Sequence, residues 1–128
     1  MSTRARSRQA AYRHGHVAEA AAALLLMAKG FRLLARRHKT PLGEIDLIAK
    51  RGKRIVFVEV KARPTFDEAL NSVGPASERR MIDAADLWLA KHPEAAGLDL
   101  RYDMILLAPW RLPRHVADAF RPGWQKAV

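Results

Sequence analysis

The spacing of apolar and polar positions changes several times along the chain, and each change marks an element. Residues 9–29 are rich in alanine and leucine and contain no proline, which predicts a helix. Gly30 follows Lys29 and supplies a stop. Residues 31–39, "FRLLARRHK", read as a strand, and Thr40-Pro41-Leu42-Gly43 reads as a turn. Residues 44–50, "EIDLIAK", and 54–62, "RIVFVEVKA", are two more strands. Gly52 between them predicts a hairpin, and Arg63-Pro64 ends the second strand. Residues 65–76 form a long polar stretch expected as a loop. Pro75 can open the next helix, which runs to about His92 and buries a stripe of Met81, Ala85, Trp88 and Leu89. Residues 99–108, "DLRYDMILLA", predict another strand, and residues 115–120 a short strand or helical turn. The order helix, three strands, helix, strand predicts an α/β fold. Its last strand joins a central mixed sheet by a parallel crossover, with helices on both sides.

Length and charge narrow the picture. The chain has 128 residues, enough for one domain. Residues 1–8 are polar, basic and aperiodic and are expected to form a disordered arm. A single domain is expected over 9–121, and a tail over 122–128. With 23 Lys and Arg against 13 Asp and Glu, the formal net charge is +10. A polyanionic partner, nucleic acid first, is therefore expected. The sequence has no cysteine, which excludes a disulfide scaffold, thiol catalysis and cysteine-ligated zinc, and fits a cytoplasmic setting. The apolar run at residues 17–28 holds Glu19 and is too short to span a bilayer, so no membrane partner is expected.

The hairpin carries the unusual chemistry. "GEIDLIA" sets Glu44 and Asp46 two apart, and "VFVEVKAR" sets Glu59 and Lys61 two apart. Residues two apart on a strand share a face, so Ile45, Leu47, Val58 and Val60 are expected to point the other way. A two-residue loop at Arg51-Gly52 would place Asp46 opposite Phe57 and Glu44 opposite Glu59. Glu44, Asp46, Glu59 and Lys61 would then converge on one face. Phe57, Val58 and Val60 indicate a central, buried strand, where clustered carboxylates repel one another and are poorly solvated. A divalent cation resolves that conflict because it prefers oxygen ligands. Mg²⁺ or Mn²⁺ held there polarises a phosphoryl oxygen and acidifies water, while a lysine orients the attacking water or balances charge.

Asp46 followed thirteen residues later by Glu59-Val60-Lys61 resembles the D…ExK signature of the PD-(D/E)XK nuclease superfamily. The closer resemblance is to the YraN-like uncharacterised bacterial family, itself similar to archaeal Holliday-junction resolvases. It rests on "GHVAEAAAALLL", "GEIDLIA", "VFVEVKAR" and "RYDMILL" and covers residues 15–120. The resemblance implies a restriction-endonuclease-like αβββαβ core and an endonuclease hydrolysing DNA, with branched or junction DNA as substrate and a homodimer as assembly. It implies Asp46, Glu59 and the Val60 carbonyl as metal ligands, Lys61 as the catalytic lysine, and Glu19 as a helix-one glutamate reaching the metal. Taken alone, Glu19 reads equally well as a solvated helix residue. Glu44 would assist its neighbours. Two departures stand out: Ile45 replaces the common proline before the aspartate, and Ser77-Glu78 stand where relatives carry a lysine, leaving Arg79 or Arg80 as candidate replacements.

Arg36, Arg37, Lys39, Arg51, Lys53, Arg54 and Arg63 cluster around the strands and are candidate phosphate contacts. Strand alternation forbids Arg36 and Arg37 from facing one side together. Arg101 and Asp103 share a face and are expected to pair. The five histidines lack metal-ligand spacing and are read as surface or structural. Trp88 is assigned to the core, whereas Trp110 and Trp124 lie near turns and suit either packing or base stacking. The alternative to an enzyme is a non-catalytic nucleic-acid-binding module that has kept the nuclease fold.

Overall fold

The computed structural model describes residues 3–121, with side chains from residue 15 onward. The chain runs α1 (Thr3–Ala28), β1 (Arg32–Thr40), β2 (Gly43–Arg51), β3 (Arg54–Ala62), α2 (Phe66–Asn71), α3 (Pro75–Ala90), β4 (Asp99–Leu107) and β5 (Arg114–Phe120). The strands form one sheet in the order β1-β2-β3-β4-β5, so the two most apolar strands lie at or beside its centre. Neighbours are antiparallel except β3 and β4, which run parallel and are joined by the α2–α3 crossover. This mixed sheet with helices on both sides is the expected α/β architecture, with a restriction-endonuclease-like core. No helix among the described residues is long and apolar enough to cross a membrane.

Each face of the sheet has its own core. Ala22, Ala23 and Leu26 of α1 pack on Leu47, Ala49, Val56, Val58 and Ile105. Met81, Ala84, Ala85 and Trp88 of α3 pack on Ile48, Ile55, Phe57, Tyr102 and Leu106. Alternation along β3 explains the division: its even positions meet α1 and its odd positions meet α3. Burying these aliphatic and aromatic side chains contributes roughly 1.5–3 kcal/mol each.

Three expectations need correction. The first helix begins at Thr3, so residues 3–8 are helical, where an arm was expected; alanine and arginine are good helix formers, and nothing in that stretch breaks a helix. Residues 1–2 and the expected tail at 122–128 lie outside the described residues. The polar stretch 65–76 is not all loop, for it contains α2. Thr65 caps that helix by accepting the Glu68 N–H at 3.1 Å, and Asp67 and Glu68 suit its first turn. Finally, Ile45 and Leu47 do not share a face: Ile45 packs with the α3 side and Leu47 with the α1 side. The switch coincides with Arg37 on β1, which has a positive φ of 50° and lies between the pairs Arg36↔Leu47 and His38↔Ile45. A residue in that conformation re-aims its strand, which simple alternation does not anticipate.

Gly43 fixes where α3 crosses the entrance of β2. A Cβ built there would stand 2.5 Å from the Arg80 carbonyl oxygen, so helix backbone occupies the space of a side chain. Gly43→Ala must push α3 away, and we expect a loss of about 1–3 kcal/mol, as for other overpacked sites. Chemical denaturation of the variant checks this; unchanged stability would contradict the close crossing.

Candidate active site

The β2–β3 hairpin turns through Gly52 and Lys53, with Arg51 paired to Arg54, two positions from the expected register. A shift of two keeps every side chain on its face. The regular ladder is recorded from Arg51↔Arg54 to Leu47↔Val58. Continued by one step, it sets Asp46 opposite Glu59, where Phe57 had been expected. There the Asp46 carboxylate does the work of the ladder: its Oδ2 accepts the Val60 N–H at 2.8 Å. Glu59 and Lys61 stand two apart on β3, and Lys61 Nζ lies 3.1 Å from Glu59 Oε1, both side chains mostly buried. Glu44 is close enough for its charge to act on Asp46. Asp46, Glu59 and Lys61 are thus brought together, whereas Glu44 is exposed and only its charge reaches Asp46.

The charges in this group do not balance. Burial pushes the Asp46 carboxyl up to about 7, and the Glu59 charge pushes the same way. The Val60 N–H and the Lys61 ammonium oppose them without restoring an ordinary value. A fully buried aspartate provides the comparison. Asp103 on β4 is fully buried, yet receives two bonds from Arg101 (2.8 and 2.9 Å), one from His115 Nε2 (2.7 Å) and the Asp118 N–H (2.9 Å). Burial alone would raise its carboxyl; the bonds from His115, Arg101 and Asp118 outweigh it and hold the group below the usual range. The Arg101–Asp103 pairing and a structural His115 agree with the sequence reading. Asp103 is a satisfied core charge, and Asp46 is not.

Glu19 is not the solvated helix residue that the sequence alone allowed. It is buried, not solvated, and its carboxylate bonds Arg36 Nε at 3.3 Å and Arg37 Nε at 2.7 Å. Both arginines reach one glutamate because the positive φ at Arg37 breaks the alternation that was expected to separate them. Among the described residues, no three His, Cys, Asp or Glu side chains group closely enough to hold a metal ion. The donors that remain, two carboxylates beside a buried backbone, suit an ion such as Mg²⁺ that keeps several waters and takes one or two carboxylates.

The candidate phosphate contacts fall into groups. Lys39 lies opposite Glu44, Arg63 follows β3 directly, and Arg79 and Arg80 lie on the first turns of α3 beside Gly43. These stand at the Asp46 end of the sheet, although Arg79 also pairs with Asp83 at 3.3 Å. Arg51 and Lys53 stand at the other end of β2, five or more residues and roughly 17 Å from Asp46. Arg51 lies over the Phe31 ring at 4.4 Å, and Arg54 pairs with Asp99 at 2.6 Å. Sequence reasoning omitted Arg111 and Arg114, whose guanidinium carbons lie 5.1 and 4.6 Å from the Phe66 ring centre, past the end of β4. Their position after a strand parallel to the ExK strand was the available signal.

A mixed α/β sheet with a carboxylate–lysine cluster on its central strands is thus the class this fold and site define. The chain belongs to the uncharacterised protein family UPF0102, which matches residues 18–107, in agreement with the YraN-like resemblance. It is 55% identical over 114 residues to a UPF0102 protein of Mesorhizobium japonicum, covering 89% of this chain and 91% of that one. A UPF0102 protein of Bradyrhizobium diazoefficiens is 56% identical over 113 residues, covering 88% and 85%. The matched region spans Glu19, Asp46, Glu59 and Lys61.

The Asp46 carboxyl has a measurable consequence. It loses its proton near 3.8 in the unfolded chain and near 7 in the folded one, so between these values the folded state binds more protons. The stability it contributes is present below about pH 4 and lost as pH rises through 7. Asp46→Asn keeps an oxygen for the Val60 N–H and removes the charge. We expect the variant to lack this downward slope and to exceed wild type at pH 8, without divalent ions, by on the order of a few kcal/mol. Denaturant melts at pH 5 and pH 8 check this; parallel profiles would contradict it.

Proposed function

We propose that this protein is a metal-dependent endonuclease, hydrolysing phosphodiester bonds in DNA at Asp46, Glu59 and Lys61 with Mg²⁺ or Mn²⁺. The observation that carries the reading is the unbalanced Asp46 carboxyl, pushed up to about 7 beside a second carboxylate and a lysine. A fold gains nothing from that arrangement, whereas catalysis uses it. Asp46 and Glu59 would hold the cation, with the Val60 carbonyl as a further oxygen. When bound, the ion supplies positive charge that polarises a phosphodiester and makes water more acidic.

The chain's own residues do the rest. On cation binding Asp46 would give up its proton, because the ion's charge would offset both burial and the repulsion from Glu59. Lys61, held by Glu59 at 3.1 Å, presents an ammonium that orients water or balances charge on the phosphate. The net charge of +10 and the cations Lys39, Arg63 and Arg80 near the site draw the DNA backbone in. Branched or junction DNA and a pair of chains acting together follow from the resolvase resemblance and belong to the same proposal.

A non-catalytic nucleic-acid-binding module is favoured by one observation, the engagement of Glu19 by Arg36 and Arg37. Incubation with junction, flap, single-stranded and duplex DNA in Mg²⁺ or Mn²⁺ separates the two. We expect wild type to cut at least one of them, and Asp46→Ala and Lys61→Ala to lose activity by about a hundredfold or more. Binding without cutting by wild type supports the module, and equal cutting by Asp46→Ala sinks the proposed site.

A further inference from the structure

The loop after β4 contains a residue that serves the fold badly in two ways. Trp110 is fully exposed, the most exposed large apolar side chain among the described residues. It also has a positive φ of 64°, a conformation that favours glycine. The Arg111 N–H bonds the Ala108 carbonyl at 3.3 Å, so Ala108-Pro109-Trp110-Arg111 is a turn. Proline at its second position and a positive φ at its third match the turn that normally takes glycine third. A tryptophan there is strained and leaves its indole in water, so packing does not account for it.

Its surroundings point to a ligand. Leu107 accepts the Arg63 N–H at 3.0 Å and pairs with Ala62, next to Lys61. Trp110 is three residues beyond Leu107. Three residues span at most about 11 Å and one strand spacing adds about 5 Å, so its backbone lies within roughly 16 Å of the end of β3. That is under about five nucleotides at 3.4 Å per step along one strand. Arg111 follows Trp110 directly in the chain, Arg111 and Arg114 both lean on Phe66, and Arg63 lines the neighbouring groove. Beside the loop, Val17, Ala62, Pro64, Leu107 and Pro109 line an apolar groove of about 470 Å³. An exposed aromatic among arginines, next to an apolar groove, has the chemistry of a base-stacking platform set along a phosphate track.

We infer that Trp110 stacks on an unpaired base of a nucleic acid held across this end of the sheet. The inference deepens the proposed function, because it places single-stranded or strand-separated nucleic acid at the same site. Blunt duplex offers no free base face to the indole and gains nothing from it.

Binding is read by fluorescence anisotropy in chelator, so that cleavage does not enter. The probes are a thymidine oligonucleotide and a blunt duplex of equal length. Trp110→Ala and Trp110→Gly should weaken oligonucleotide binding by roughly fivefold to a hundredfold, the worth of one base–aromatic stack. Trp110→Phe should stay near wild type, and duplex affinity should not change in any variant. Trp110→Gly relieves the strained φ and should melt no lower than wild type, which separates lost stacking from lost folding. Unchanged oligonucleotide binding, or an equal loss on duplex, overturns the inference. So does a Trp110-dependent emission shift with phosphatidylglycerol vesicles and none with the oligonucleotide. If wild type cuts DNA while Trp110→Gly binds normally, this inference falls and the nuclease reading stands. If Trp110-dependent binding is found and nothing is cut, the nuclease reading falls and this one stands.

Discussion

Asp46 stands where the regular pairing of β2 and β3 ends, and its carboxylate takes over the Val60 N–H at 2.8 Å. That bond holds the carboxylate at the end of the ladder, beside Glu59 and within the field of Lys61. Asp46 is half-buried there, so partial burial and a like charge both act on it. The contrast with Asp103 shows how a fold treats a buried aspartate when stability is the only demand. Asp103 also takes a backbone N–H, from Asp118, which has a positive φ beside a register shift between β4 and β5. Arg101 then neutralises it, and His115 Nε2 adds a hydrogen bond at 2.7 Å. Asp46 has the same kind of backbone anchor without the arginine that balances Asp103.

The rest of the molecule holds this end of the hairpin in place. β3 is flanked by strands on both sides and by cores on both faces, so Glu59 and Lys61 project from a strand with little freedom. α3 presses its backbone on Gly43, three residues before Asp46. On the other face, Glu19 ties α1 to β1 through Arg36 and Arg37, next to the point where β1 and β2 change faces.

Much of this was legible in the sequence because strands impose strict rules. The hairpin between β2 and β3 and the approach of Asp46 to Glu59 and Lys61 follow from a period of two and an even loop. The loop was placed one residue early, and the convergence survived because a shift of two positions preserves the face. What failed involved backbone conformations that composition does not encode. A positive φ at Arg37, a residue type that rarely adopts it, put Ile45 and Leu47 on different faces and brought Arg36 and Arg37 to one glutamate. The short helix α2 was hidden in a polar stretch whose Thr65 cap is plain only once its bond to Glu68 is seen. Trp110 was left open between packing and stacking, and its full exposure rules out packing.

The central claim is that the Asp46–Glu59 pair is incomplete without a divalent cation. Calorimetric titration of Mn²⁺ into wild type at pH 6, repeated in two buffers of different ionisation enthalpy, measures it directly. With Asp46 near 7, most molecules carry its proton at pH 6, and cation binding must release it. We expect saturable binding with release approaching one proton, and neither in Asp46→Asn. No binding, or binding without proton release, would contradict it.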